Sequence, residues 1–219
     1  QIWLWPDGLH QISPQKPDGG WHLSFLIKDR TGYENLSSMI TKAIFDGMHY
    51  RPRIDLNILK EHREGLIVTT CGLNGPIGSE LVKQNRDIKS TIPFALNNVG
   101  KIQEIFGDDL YIELSDFAID GQSENNRLCK IISEKTGVKT IVTNDVRYIN
   151  PIDSVTLQCL RSINKNQLLD STDFNDCTDQ QYFKSKNEMK DLFPNEIESI
   201  ERTQEIADQC SFQFKEAPP

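Results

Sequence analysis

Apolar and polar positions alternate along the chain in a pattern that predicts strands separated by helices. Apolar runs typical of buried strands occur in QIWLWPD at the start and at residues 21–27, 65–71, 110–114 and 138–143. Apolar residues at helical spacing predict helices over residues 31–47, 77–84, 88–106, 123–136, 152–163, 188–193 and 195–210. Strands that alternate with helices indicate an α/β fold with a largely parallel sheet or a barrel.

Two stretches lack either period and are predicted to be irregular. Residues 7–20 are rich in proline and glycine, and residues 165–182 are polar and acidic, which favours extended loops. We therefore divide the chain into a main domain over residues 1–164 and a second region over residues 165–219, which holds a linker and a helical tail. Because the chain opens directly on a strand, we expect it to be a fragment.

Composition narrows the class of protein. Hydrophobic residues make up 37% of the 219 residues, which is enough for a real core, and no apolar run approaches the roughly 20 residues of a membrane span. The five cysteines are scattered without CxxC pairs, which is typical of a reduced, cytoplasmic protein. A net charge of -8 argues against a broad nucleic-acid surface.

Three residues of ligand type stand where the chemistry of an α/β fold is expected, near the ends of strands. His22 begins the strand WHLSFLI, Cys71 ends GLIVTTC, and Asp145 closes VKTIVTND. Histidine, cysteine and aspartate are all ligands for zinc-like ions. Each also has a structural explanation: a packed histidine at a strand edge, an inert buried thiol, and an aspartate that caps a turn.

The segment NDVRY adds an unusual pair. Side chains alternate along a strand, so Asp145 and Arg147 point to the same side. A histidine at position 147 would complete a pair of metal ligands. Arginine cannot bind a cation, because its guanidinium stays protonated and has no free lone pair.

Several blocks in order, from about Trp21 to Cys210, resemble the PHP (polymerase and histidinol phosphatase) domain of bacterial DNA polymerase III alpha subunits. The blocks are GYENLSSMITKA, YRPRIDLNILKEHREGLIVTTCGLNGPIG, EIFGDDLYIEL, VKTIVTNDVRYINPID, QQYFKSKNEMKDLFP and IERTQEIADQC. The resemblance implies a distorted PHP-type (β/α) barrel, incomplete at its amino-terminal end, with a carboxy-terminal helical tail. It also implies a cleft that holds a cluster of divalent metals in active members.

The resemblance assigns five ligand positions in this chain. His22, Cys71 and Asp145 keep the family's residue types, whereas Gln1 stands in place of a glutamate and Arg147 in place of the histidine of NDVHY. The family's HxH motif and a further histidine would precede Gln1. We interpret the metal site as degenerate, with Arg147 in a bidentate contact with Asp145. A solvated Arg147 is the alternative.

The resemblance further implies a role within a larger enzyme. The parent would be a DNA-directed DNA polymerase that uses Mg²⁺, whereas this fragment lacks the polymerase core and is expected to hold no cofactor. The domain would serve as a scaffold and a docking surface for the proofreading exonuclease, with other replicase subunits and primer-template DNA as partners of the parent. Two alternatives stay open: an active phosphoesterase or 3′–5′ exonuclease that binds Zn or Mn, and a stand-alone phosphatase of small metabolites.

Overall fold

One mixed sheet of six strands organises the portion of the chain that the structure describes. The structure is a computed structural model, and it describes residues 2–6, 8–9, 20–82, 87–169 and 177–214. The strands are β1 (Ile2–Leu4), β2 (Trp21–Ile27), β3 (Arg53–Ile54), β4 (Leu66–Thr69), β5 (Leu110–Ser115) and β6 (Thr140–Thr143). Their order across the sheet is β3-β1-β2-β4-β5-β6.

Eight α-helices connect and cover these strands in the described ranges. They are α1 (Arg30–Phe45), α2 (Leu56–Glu61), α3 (Gly78–Val82), α4 (Ile88–Phe106), α5 (Gln122–Thr136), α6 (Ser154–Lys165), α7 (Lys186–Leu192) and α8 (Ile197–Gln209). None of these helices combines the length and apolar composition needed to cross a lipid bilayer.

The α/β fold class is confirmed, and the sheet is largely parallel. β1 pairs parallel with β3, and β4, β5 and β6 pair parallel with one another. β2 pairs antiparallel with both β1 and β4, so it alone runs against the other five strands. Within the described residues β3 and β6 form the two edges of the sheet, and closure into a barrel stays a prediction.

The two faces of the sheet are covered by different helices. On one face, strand residues such as Leu23, Val68 and Ile112 belong to a large core with α1, α4 and α5. On the other face a smaller apolar cluster joins Ile67, Tyr111, Ile141 and Ile206, so α8 packs across β4, β5 and β6. Alternation along the strands explains both layers, since successive side chains point to opposite faces.

Most predicted elements are present, although two were missed. β2 and α4 have the predicted bounds, whereas β3 and α2 in the RPRID region were not predicted. Both are short, at two and six residues, which leaves too few positions for a period to show. Portions of four predicted segments lie outside the described residues: position 1 of the first strand, positions 7 and 10–19 of the first loop, 83–84 of one helix, and 170–176 of the second loop.

The packing of the tail bears on the predicted division of the chain without deciding it. Thr140 and Ser199 share a hydroxyl hydrogen bond of 2.6 Å, and the guanidinium of Arg202 donates to the carbonyl of Thr140. Helix α8 is therefore fastened to β6 as well as packed on it. The boundary between residues 1–164 and 165–219 stays a prediction.

Candidate functional site at the strand ends

The reversed direction of β2 brings the predicted site residues to one end of the sheet, where β4, β5 and β6 terminate; this end is called the site edge below. The carboxyl ends of β4 and β6 lie at this edge, just before Cys71 and Asp145, and the antiparallel β2 begins here with His22 in its second position. Ser24 is the pairing partner of Thr69, so the start of β2 lies beside the exit of β4. His22 is half-buried, with its ring edge-on to Trp3 at a centroid distance of 3.7 Å.

Cys71 lies where the backbone turns sharply away from β4. Its φ of 52° and ψ of 40° are left-handed, a conformation that non-glycine residues adopt rarely. The hydroxyl of Ser24 donates to its sulfur at 3.5 Å. Burial raises the pKa of the Cys71 thiol to about 11, and the charges of Glu113 and Asp145 add to this increase. The hydrogen bond from Ser24 lowers the pKa but does not offset the increase. The neutral thiol is therefore the form present near neutral pH.

Glu113 is a further residue of this site that the sequence analysis did not identify. It occupies the middle of β5 and accepts hydrogen bonds from the hydroxyls of Thr69 and Thr143, the second at 3.5 Å. Burial raises the pKa of the Glu113 carboxyl; the two threonine hydrogen bonds oppose this, and the charge of Asp145 adds to it. A glutamate inside the apolar run LYIEL was the available signal, because a buried carboxyl needs partners.

Asp145 has a side-chain partner at each of its carboxylate oxygens, an ion pair at one and a hydrogen bond at the other. Arg147 Nε lies 2.8 Å from Oδ1, and Nε2 of Gln181 donates to Oδ2 at 2.9 Å. The predicted contact between Asp145 and Arg147 is therefore confirmed. The predicted bidentate geometry is wrong, since Arg147 contacts Oδ1 whereas the partner of Oδ2 is the amide of Gln181. The two side chains of the ion pair are 34% and 47% exposed, so solvent weakens the attraction.

Comparison with known proteins agrees with this architecture. Residues 9–117 match the family model of the PHP domain. DNA polymerase III subunit alpha from Helicobacter pylori is 32% identical over 218 residues, 95% of this chain and 18% of the relative. The proteins of the same name from Treponema pallidum and Thermus aquaticus are 33% and 32% identical over 201 residues, 91% and 88% of this chain and 17% and 16% of theirs.

This chain contains a PHP domain. It spans less than a fifth of the length of these relatives. The PHP domain matched by the family model ends in the loop after β5, so it includes His22, Cys71 and Glu113. Asp145 and Arg147 lie beyond it, within the longer similarity to the alpha subunits.

The donors at the carboxyl ends of the strands can be tested for their fit to the metal cluster that the resemblance implies. In the portion of the chain that is described, no three His, Cys, Asp or Glu side chains are placed to hold a metal ion; Gln1 lies outside that portion. Asp145 is already paired with Arg147 at Oδ1 and accepts a hydrogen bond from Gln181 at Oδ2, and Arg147 adds a fixed positive charge. This arrangement does not fit a bound cation.

Proposed function

We propose that this PHP domain belongs to the alpha subunit of a bacterial replicative DNA polymerase, a cytoplasmic enzyme. The similarity to alpha subunits of several bacteria along about nine-tenths of the chain supports this context. In the longer protein, DNA synthesis and its Mg²⁺ ions would belong to the polymerase core. Primer-template DNA and the other replicase subunits would be partners of the whole protein.

Within that protein, the proposed role of the domain is that of a scaffold that docks the proofreading exonuclease. The observation that carries this proposal is the pairing of Asp145 with Arg147 at 2.8 Å. A guanidinium beside the carboxylate neutralises the charge that a divalent cation would need. His22, Cys71 and Asp145 are then vestigial ligand positions, and a domain that keeps its fold without this chemistry contributes contacts.

A metal analysis tests the degenerate site directly. The purified chain should hold far less than one equivalent of zinc or manganese after gel filtration, as measured by plasma mass spectrometry, because the site offers too few free donors. Two or three equivalents that disappear in a variant with Cys71→Ser and Asp145→Ala would contradict the proposal.

The retained residues favour a second candidate function. His22, Cys71 and Asp145 lie at the same end of the sheet. Their imidazole, thiol and carboxylate groups are of the kind that an active zinc or manganese phosphoesterase or 3′–5′ exonuclease would use as metal ligands. This candidate requires metal-dependent hydrolysis of a DNA end or a phosphoester. The same metal analysis distinguishes the two functions.

Docking is tested with the full alpha subunit and its proofreading exonuclease. Calorimetry with and without EDTA should give the same affinity, and Asp145→Ala should leave it unchanged, since no metal organises the docking surface. Asp191→Ala is a matched control, because it removes an exposed carboxylate of α7. Loss of binding on chelation would overturn the scaffold role.

A further inference from the structure

Residues 177–183, here called the strap, cross the end of β6 and approach the site. The backbone N–H of Arg147 donates to the carbonyl of Gln181 at 2.8 Å, and that of Phe183 donates to the carbonyl of Tyr148 at 3.0 Å. Nδ2 of Asn144 donates to the carbonyl of Tyr182 at 2.8 Å. These bonds accompany an isolated parallel bridge between Tyr148 and Tyr182, outside the six strands of the sheet, and they hold the strap against the segment NDVRY.

Gln181 lies at the centre of the strap and is fully buried, with 0% of its surface exposed. Its Oε1 accepts from the backbone N–H of Thr178 at 3.1 Å, and its Nε2 donates to Asp145 Oδ2 at 2.9 Å. The two contacts define the orientation of the amide, because a backbone N–H can only donate and a carboxylate can only accept. Gln181 therefore presents its NH₂ group to the site.

We propose that Gln181 is a positioning residue that occupies Oδ2 of Asp145 and so prevents a cation from binding there, independently of Arg147. A cation bound at Oδ2 would displace a buried NH₂ group that then has no water to bind, which is costly. Backbone hydrogen bonds at Gln181 and Phe183 hold the strap, and with it this group, in place. This inference rests on the proposed degenerate site and adds that replacing Arg147 alone does not reopen it.

The test compares variants of the 219-residue chain in a titration with Co²⁺, using the absorption of a cobalt–thiolate bond to report binding at Cys71. The variants are Arg147→His, Arg147→His with Gln181→Met, and Arg147→His with Gln180→Met. Methionine keeps the length of glutamine but cannot donate. Gln180 is the matched control, since its side-chain amide bonds to Asp179 rather than to the site.

Arg147→His alone should bind Co²⁺ little better than the unaltered chain. Adding Gln181→Met should raise the affinity by about tenfold or more, because the ion then no longer competes with a hydrogen bond to a charged group, whose net worth corresponds to at least that factor, and Gln180→Met should add nothing. The inference is overturned if Arg147→His alone binds as tightly as the variant with Gln181→Met, or if that variant gains nothing. Tight binding by the unaltered chain would instead overturn the degenerate site itself.

A second measurement covers the case in which Gln181→Met does not fold. In the unaltered chain, NMR should show side-chain NH₂ protons of Gln181 that exchange slowly with solvent, as expected of a buried, bonded amide. Asp145→Ala should speed this exchange by about tenfold or more, since a net hydrogen bond to a charged group is worth at least that factor. Equal exchange in the two proteins would overturn the inference.

Discussion

At the scale of single residues, the chemistry of the strand-end site is set by the neighbours of each side chain. Asp145 is partly exposed, forms an ion pair with Arg147 and accepts a hydrogen bond from Gln181. Glu113 lies deeper, and its side-chain partners among the described residues are the neutral hydroxyls of Thr69 and Thr143. The two carboxyls are close enough for the charge of Asp145 to raise the pKa of Glu113. The charged form of Glu113 is therefore costly to bury at this site.

Glu113→Gln should change how stability depends on pH. Because the folded pKa of Glu113 is raised above the ordinary value, its contribution to stability is complete below the unfolded pKa and is lost as pH rises through the folded pKa. The neutral variant has no such loss, so its unfolding free energy should rise relative to that of the unaltered chain as the pH increases above about 4, the ordinary pKa of a glutamate.

Urea unfolding at a series of pH values measures this difference. Glu201→Gln, which replaces an exposed glutamate of α8, serves as the control and should follow the unaltered chain. Identical pH slopes for Glu113→Gln and the unaltered chain would show that Glu113 is not strained by burial.

At the scale of elements, the side chains of β4, β5 and β6 change from apolar to polar along the face that carries the site. Ile67, Tyr111 and Ile141 form an apolar layer under α8. Thr69, Glu113 and Thr143 form a polar layer on the same face, nearer the carboxyl ends of the strands. The period of two places both layers on one side of the sheet. Helix α8 therefore covers the amino-terminal half of this face and leaves the polar half to the site and the strap.

Ile206→Ala should destabilise the protein through the apolar layer. Ile206 is 4% exposed and packs on that layer, so truncation should cost about 2–4 kcal/mol of unfolding free energy, from lost burial and a residual cavity. Ile197→Ala in the same helix should cost less than about 1 kcal/mol, since Ile197 is 38% exposed. Similar midpoints in urea for both variants would mean that α8 is only loosely attached.

At the scale of the whole molecule, charge and the attached tail determine what the chain can bind. Asp and Glu outnumber Lys and Arg by 32 to 24, and the tail helices α7 and α8 follow directly on the strap. The strap and α8 both contact the β6 region, through Arg147 and Thr140. Direct contacts thus join the end of β6 to both the strap and the tail.

The 219-residue chain should bind duplex DNA only weakly. Affinity for DNA comes mainly from Lys and Arg that displace counterions from phosphates, and a net charge of -8 opposes that exchange. Fluorescence anisotropy with a labelled duplex at physiological salt should give a dissociation constant weaker than about 10 µM. Submicromolar binding that weakens steeply with salt would reveal a local basic surface and contradict this expectation.

The sequence by itself determined the features that depend on local backbone geometry. The periods of two and 3.6 placed β2 and α4 at their observed bounds. The short separation of Asp145 and Arg147 also allowed their contact to be predicted, although both lie beyond the end of β6. These features were accessible because neighbouring residues share one repeating geometry, whatever the rest of the chain does.

Only the tertiary structure decided the direction of β2 and the partners of the Glu113 and Asp145 carboxyls. A reversed β2 places His22 beside the exit of β4, whereas a parallel β2 would send it to the opposite edge of the sheet. Glu113 finds Thr69 and Thr143 at separations of 44 and 30 residues, and Asp145 finds Gln181 at 36. No local pattern specifies such pairs, because they form only when packing of the whole chain offsets the entropy of bringing distant segments together.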